Sequence, residues 1–227
     1  MMRFRGTFKA LAVALILVLS CLFLGRLSAL APGTLAYRIG EFYEHDEDGM
    51  NALKWYRRAA ERGFPGALNA VGRQYGRGKG VDVDPREALL WFRRAAGLGD
   101  VRGQYNVGLS YLAGNGVAKD DGEAFQWFRR SADGGCADAQ FILGILCLNG
   151  TGTRRDGAQA FHWLRAAADR GSADAEYELG VCYEKGVQVG KDAGEAAHWY
   201  RLAAAAGQPR AQAALLSLEP PRPPARP

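Results

Sequence analysis

Two histidines, His162 and His198, stand 36 residues apart, and each precedes a tryptophan. A neutral imidazole is a good zinc ligand. A zinc site, however, needs three or four donors at fixed spacing, and neither Cys nor carboxylate accompanies this pair. Both are read as solvent-facing. His45-Asp46-Glu47-Asp48 could hold a cation loosely, but a polar turn whose acids favour the next helix N-terminus accounts for the same residues. The cysteines are Cys21, Cys136, Cys147 and Cys182. A Cys136–Cys147 or a Cys147–Cys182 bridge is open, and at least one of the last three thiols stays unpaired. Ser-x-x-Lys, Gly-x-Ser-x-Gly, His-Glu-x-x-His and the Walker loop are all missing from the sequence. Gly78-Lys79-Gly80 lacks the strand before it and the Lys-Ser/Thr ending of a phosphate cradle. No catalytic residue, metal site or cofactor is expected.

Charge narrows the partners. The 227 residues carry 29 Lys+Arg and 24 Asp+Glu, a net +5. Arg3, Arg5, Lys9 and Arg26 hold most of that excess, since residues 1–26 contain no acid. A body so close to neutral is not expected to bind nucleic acid. Ala10 to Leu24 is apolar except for Ser20, and follows a short basic start. That is the shape of an export signal, and it is short for a free-standing membrane helix of about 20 residues. Ala29-Leu30-Ala31 has a cleavage-site form but precedes Pro32, and Val18-Leu19-Ser20-Cys21 loosely resembles a lipoprotein site. Residues 1–31 are therefore a signal peptide or an N-terminal anchor, with cleavage, retention and lipidation all open. Each places the body outside the cytoplasm, periplasmic or anchored at the inner membrane, with membrane contact only through this segment.

The elements that position everything else come from a repeat. The five tryptophans, Trp55, Trp91, Trp127, Trp163 and Trp199, are spaced by 36 residues. Each has Ala three residues before it, Arg two after, Ala five after and Gly eight after. Such a period marks stacked supersecondary units. Each unit reads as two helices. Helix B carries the Trp and starts at Asp48, Asp84, Asp120, Asp156 or Asp192. In four copies Glu or Gln follows three residues later, a capping-box spacing in which it reaches back to the cap. Helix A carries Gly40, Gly72, Gly108, Gly144 or Gly180. A helical glycine costs about 1 kcal/mol relative to Ala, so close approach of the helix B alanines is expected there. Gly-x-Gly turns at 78–80, 114–116 and 150–152 join A to B, and the last copy, Gly186-Val187-Gln188, has lost the second Gly. A Trp fixed beside alanines reads as core rather than as a stacking ladder for sugars or bases. The Arg pairs 57–58, 93–94 and 129–130 form a basic stripe on helix B, a solvated face or a contact for acidic lipid or an acidic partner.

The segments Leu/Val-Gly-x-x-Tyr, Gly-x-Gly-Val and Ala-x-x-Trp-x-x-x-Ala-Ala-x-x-Gly resemble the Sel-one-like repeat family, relatives of tetratricopeptide repeats. One copy shows them as Val107, Gly108, Tyr111, Gly114, Gly116, Val117, Asp120, Ala124, Trp127 and Ala132. The resemblance spans about residues 35–218 and implies an all-α, right-handed α-solenoid of paired antiparallel helices. Residues 32–66 would be an N-terminal capping repeat, 67–210 four 36-residue repeats, 211–219 a half-repeat cap and 220–227 a disordered Pro-rich tail. Cys147 stands where other copies have Tyr. A cysteine-rich branch of the family, linked to β-lactam binding or hydrolysis, has paired Cys in each repeat, a pattern absent here.

The resemblance implies a non-enzymatic scaffold or adaptor of the bacterial cell envelope, its partner a protein or peptide. By analogy with tetratricopeptide arrays, helix A would line a concave groove. The groove positions are Asn69, Arg73 and Arg77, then Tyr105, Leu109 and Ala113, then Phe141, Ile145 and Asn149, then Tyr177, Val181 and Lys185. A peptide with an acidic end and an apolar middle suits that gradient, although Tyr105, Phe141 and Tyr177 equally suit packing between repeats. The alternatives are a weak hydrolase acting on β-lactams or cell-wall peptides, and a self-associating structural protein of the envelope.

Overall fold

The computed structural model describes residues 33–218, so the expectations for the leader and the Pro-rich tail lie outside the described residues. Among the described residues there are eleven α-helices and no strand. The A helices are α1 (Thr34–His45), α3 (Pro65–Arg77), α5 (Val101–Ala113), α7 (Ala137–Asn149), α9 (Ala173–Lys185) and α11 (Ala211–Leu218). The B helices are α2 (Gly49–Ala60), α4 (Pro85–Gly97), α6 (Asp121–Asp133), α8 (Gly157–Ala168) and α10 (Ala193–Ala205). They fall into two compact units, one ending at Lys119 and one beginning at Asp120. In the first unit α1 to α5 pack in succession, and in the second α6 to α11 do the same.

Every B helix starts on its aspartate. Asp84 accepts the backbone N–H of Arg86 and Glu87 at 3.0 Å, Asp120 that of Glu123 at 2.9 Å, and Asp192 those of Gly194 and Glu195. The expected return from Glu is not made. The cap's own N–H is already used: Asp84, Asp156 and Asp192 donate to the carbonyls of Tyr75, Cys147 and Tyr183, each at 3.0 Å. Those carbonyls are the orphan acceptors at the end of helix A, so one bond closes the hairpin and satisfies both ends. Glu87, freed from the box, accepts Trp91 Nε1–H at 2.8 Å.

The core is centred one residue past each tryptophan. Tyr56, Phe92, Phe128, Leu164 and Tyr200 are buried, while Trp55, Trp91, Trp127 and Trp163 are half-buried and only Trp199 is buried. One residue is about 100° of helix rotation, which moves the indole to the rim of the apolar stripe. There Arg58, Arg94 and Arg130 lie over Trp55, Trp91 and Trp127 at 5.4, 4.4 and 4.7 Å. The helix A glycine meets this buried residue most closely, and the expected helix B alanines approach it as well through their backbone, Ala88 O at 3.0 Å from a Cβ on Gly72 and Ala160 O at 3.3 Å from one on Gly144. A Cβ at Gly40, Gly72 or Gly180 would lie 2.5–2.6 Å from the ring of Tyr56, Phe92 or Tyr200, and one at Gly144 would lie 2.8 Å from Leu164 Cγ.

The position four residues past that glycine is matched to the buried residue. Where the ring is tyrosine the position is glutamate: Tyr56 Oη donates to Glu44 at 2.5 Å and Tyr200 Oη to Glu184 at 2.6 Å. Where it is Leu164 the position is Leu148. Where it is Phe92 the position is Gly76.

The turns explain the lost glycine. Gly80, Gly116 and Gly152 have φ between +67° and +76°, and Gln188 occupies the same left-handed region at +63°. Each glycine sits against the start of the helix B one repeat earlier: a Cβ at Gly116 would lie 2.3 Å from Pro85 O, and one at Gly152 would lie 1.9 Å from Asp121 O. For Gln188 the glycine has moved across the contact. Helix α8 begins with Gly157, whose Cβ would lie 2.4–2.5 Å from the Gln188 side chain. Cys136, Cys147 and Cys182 are free thiols. Cys136 caps α7 and Cys147 lies eleven residues on, in its last turn, about 16 Å away at 1.5 Å per residue, beyond the reach of a disulfide.

Two stability measurements follow. Gly157→Asp lowers stability by about 1–3 kcal/mol through overpacking, and in the Gln188→Gly background most of that loss disappears, a coupling of about 0.5–3 kcal/mol. Additive effects in denaturant titrations would refute the contact. Gly180→Ala is destabilising by about 1–3 kcal/mol despite alanine's helix preference, and a rise in melting temperature would contradict the ring-on-glycine crossing.

Candidate functional site

In the first unit, a cleft of about 530 Å³ lies between α3, α4 and α5. Phe92 and Ala88 form its floor, and Val83 and Pro85 one wall. Arg73, Arg77, Asn106, Leu109, Ser110 and Asn115 complete it. Arg73, Arg77 and Leu109 are residues the sequence places in the groove. Asn69 is buried, its Oδ1 accepting Asn106 Nδ2–H at 2.7 Å, which ties α3 to α5. Tyr105 is half-buried and does not line the cleft.

The two arginines differ in how they are held. Glu44 on α1 accepts from both Tyr56 Oη and Arg73, the latter at 3.2 Å, so a core hydroxyl and a surface guanidinium share one carboxylate. Burial first, and that hydrogen bond second, push the Tyr56 phenol well above its ordinary range, so it remains a donor at every physiological pH. Arg77 is exposed at the end of α3 and forms no ion pair among the described residues. The cleft thus offers one oriented and one unengaged guanidinium above a phenyl floor, with two amides on the rim.

The opening depends on Gly76. Its backbone is ordinary right-handed helix, and a Cβ there would meet only Ala88 Cβ, at 3.8 Å. Neither dihedral strain nor close approach demands glycine. The corresponding residues are Glu44, Leu112, Leu148 and Glu184. Gly76, Asn106 and Asn115 are the contributors that spacing alone misses. Gly76 could have been found as the copy that breaks the pattern, whereas Asn106 leaves no such signal.

In the second unit the corresponding positions serve packing as well as surface. Phe141 and Ile145 are half-buried against the cluster containing Leu164 and Leu179. Tyr177 stacks at 5.4 Å from the Tyr200 ring, and the Arg210 guanidinium covers it at 4.3 Å. Arg210 also reaches Glu178 at 3.5 Å. Val181 is half-buried, and Asn149 and Lys185 are exposed. His45, His162 and His198 are exposed, the last two edge-on to the neighbouring Trp. Among the described residues, no group of three His, Cys, Asp or Glu side chains could hold a metal ion. No helix among them is long and apolar enough to cross a membrane.

The Sel1 repeat model matches residues 21–64, 65–100, 101–136, 137–172 and 173–208. The chain belongs to the Sel1 repeat family. Members of this family typically act as protein–protein interaction scaffolds. A Sel1 repeat protein from Oxalobacter formigenes is 32% identical, with a TM-score of 0.78, covering 86% of this chain and 82% of the other. A protective antigen of uropathogenic Escherichia coli, described as displaying an SLR fold, is also 32% identical, with a TM-score of 0.76 over 83% of this chain. The chain spans only 41% of that antigen's length. An immunity protein of Pseudomonas aeruginosa, 21% identical with a TM-score of 0.54 over 79% of this chain and 78% of its own, shares the fold. No curated protein matches the chain by sequence.

Glu176 on this Sel1 array tests the packing directly. It is buried with Oε2 unpartnered, and burial raises its pKa. One repeat earlier Gln140 occupies the position and donates to Ala132 O at 3.1 Å. Because the folded pKa exceeds the unfolded one, stability is lost as pH rises from the unfolded carboxylate value through the folded one. Glu176→Gln is therefore stabilising by about 1–3 kcal/mol at neutral pH, the gain vanishing in acid below the unfolded carboxylate range. A gain that is independent of pH in thermal melts would refute the linkage.

Proposed function

We propose that this Sel1 repeat protein is a non-enzymatic adaptor of the bacterial cell envelope, with its body outside the cytoplasm, and that a protein or peptide segment seats in the cleft between α3, α4 and α5. Gly76 carries the reading. It is a helical glycine that the fold does not require, it costs about 1 kcal/mol of helix stability, and its missing side chain leaves the floor at Phe92 open. A partner with an acidic residue beside an apolar one matches Arg73 and Arg77 next to Phe92 and Leu109, and Asn106 and Asn115 supply amides for its backbone. The export-type leader supports the envelope assignment.

Gly76→Leu, the residue at the matching position of two other copies, separates stability from binding. It fills the cleft and raises the melting temperature, because leucine is the better helix former by about 1 kcal/mol. The partner is first isolated by affinity purification from the native cell and identified by mass spectrometry. Both Gly76→Leu and Arg77→Glu then weaken its binding at least tenfold by calorimetry, with helicity unchanged. Retained binding by a well-folded Gly76→Leu protein would remove the cleft from the function.

A further inference from the structure

The exposed face of α2 and α4, on the first unit and separate from the cleft, carries charge that no carboxylate neutralises. Lys54, Arg57, Arg58, Arg86, Arg93 and Arg94 are all exposed, and none forms an ion pair among the described residues. Glu61 and the half-buried Glu87, which takes Trp91 Nε1–H, are the acids beside them. Four of the cations are held against aromatic rings instead. Arg57 and Arg93 lie over Tyr75 and Tyr111, each 5.6 Å from the centroid, and both also donate to the phenol oxygen. Arg58 and Arg94 lie over Trp55 and Trp91. A guanidinium held at a ring face or a phenol oxygen has less conformational freedom left to lose when it meets an anion.

Between these cations stand large apolar side chains in water: Met50 is 73% exposed, Leu90 54% and Leu98 56%. Beside Met50, Arg57 and Arg58 a shallow depression of about 720 Å³ reaches to the turn at Gly80. Asp133 and Asp169 stand where α2 has Glu61, so the contrast lies in the apolar chains: where α4 has Leu90, α6, α8 and α10 carry Gln126, His162 and His198, and Leu202 is their large exposed apolar residue. The combination of unpaired cations and protruding apolar chains therefore belongs to the first unit.

We infer that this face docks on an anionic phospholipid bilayer. Headgroup phosphates take the guanidinium N–H groups, while Met50, Leu90 and Leu98 enter the boundary between headgroups and acyl chains. A nucleic acid or another polar polyanion would satisfy the arginines but leave those three side chains in water. Position along the chain agrees. Nine residues separate the apolar run ending at Leu24 from Thr34, about 30 Å of extended chain, so a retained leader would hold the first unit within reach of the bilayer.

The experiment uses the full chain with Cys21 and Cys136 changed to serine, leaving Cys147 and Cys182 buried with raised thiol pKa values and slow to label. A fluorophore is placed on Leu90→Cys or, as the control, on Leu202→Cys. Vesicles of phosphatidylcholine with brominated acyl chains are compared with and without phosphatidylglycerol. The leader, with Arg3, Arg5, Lys9 and Arg26 and no acid before Arg26, favours phosphatidylglycerol by itself, so docking of the face is read from the difference between positions 90 and 202 and from its loss in the arginine variant. The label at position 90 is quenched on phosphatidylglycerol vesicles, released by high salt and unquenched on phosphatidylcholine, while the label at position 202 stays bright. Arg58→Gln with Arg94→Gln reduces the docked-to-free ratio about thirtyfold, at about fivefold per basic residue. Equal quenching at both positions, or quenching that ignores phosphatidylglycerol, overturns the inference. So does a bright position 90 in a protein that still binds heparin through Arg58 and Arg94, which would assign the face to a soluble polyanion.

Discussion

Each repeat is organised by one contact, a bulky side chain of helix B seated on a glycine of helix A. With the ring 2.5–2.6 Å from where a Cβ would stand, any other residue at Gly40, Gly72 or Gly180 would force the two helices apart. The contact fixes how close the pair comes, and with it the rotation of helix B. Once Tyr56, Phe92 or Tyr200 points at the glycine, the preceding Trp is turned to the rim. There its indole face lies beneath an arginine on the solvent side. The regularity of the five tryptophans is thus a consequence of their buried neighbours.

That contact also reaches the surface. Tyr56 is seated on Gly40, and its hydroxyl binds Glu44, which in turn orients Arg73 at the mouth of the cleft. In the next pair the ring is Phe92, with no hydroxyl to satisfy, and the matching position is free to be Gly76. A tyrosine there would need its acceptor on α3, and the acceptor would fill the opening. The cleft exists where the repeat omits both halves of a hydrogen bond together and puts glycine where the Leu164 pair has Leu148, so no buried polar group is left unpaired.

Helix number, order and capping aspartates were legible from the 36-residue spacing, because a glycine, an aspartate and a tryptophan at fixed offsets report backbone geometry directly. The partner of the helix A glycine was legible only in part, since Ala88 and Ala160 do approach Gly72 and Gly144 through their carbonyls but the closest neighbour is the bulky residue after Trp. Alanine recurs unchanged in every copy and draws attention, whereas the residue after Trp varies among Tyr, Phe and Leu while keeping its burial. The capping box misled for a related reason. Asp-x-x-Glu describes one helix, but the N–H it would satisfy is used by the preceding helix in the fold. In the candidate site, Arg73, Arg77 and Leu109 were legible as positions on one face of helix A. Asn106 was not, since its role depends on what α3 places opposite it.

The near-neutral body is an average of two opposed halves. Residues 33–119 carry 13 Lys+Arg against 10 Asp+Glu, and residues 120–218 carry 10 against 13. The positions that build the repeat do not require this, because the glycines, capping aspartates and buried rings are shared by both halves. Nor does stability, since exposed charges contribute little in isolation. The excess on the first unit lies on the α2 and α4 stripe and at the cleft, on side chains that meet solvent or a ring rather than a carboxylate. Unpaired cations at structurally permissive positions leave long-range attraction as their main physical effect. That attraction draws anionic groups toward the first unit, which presents both the cleft and the apolar side chains of the stripe.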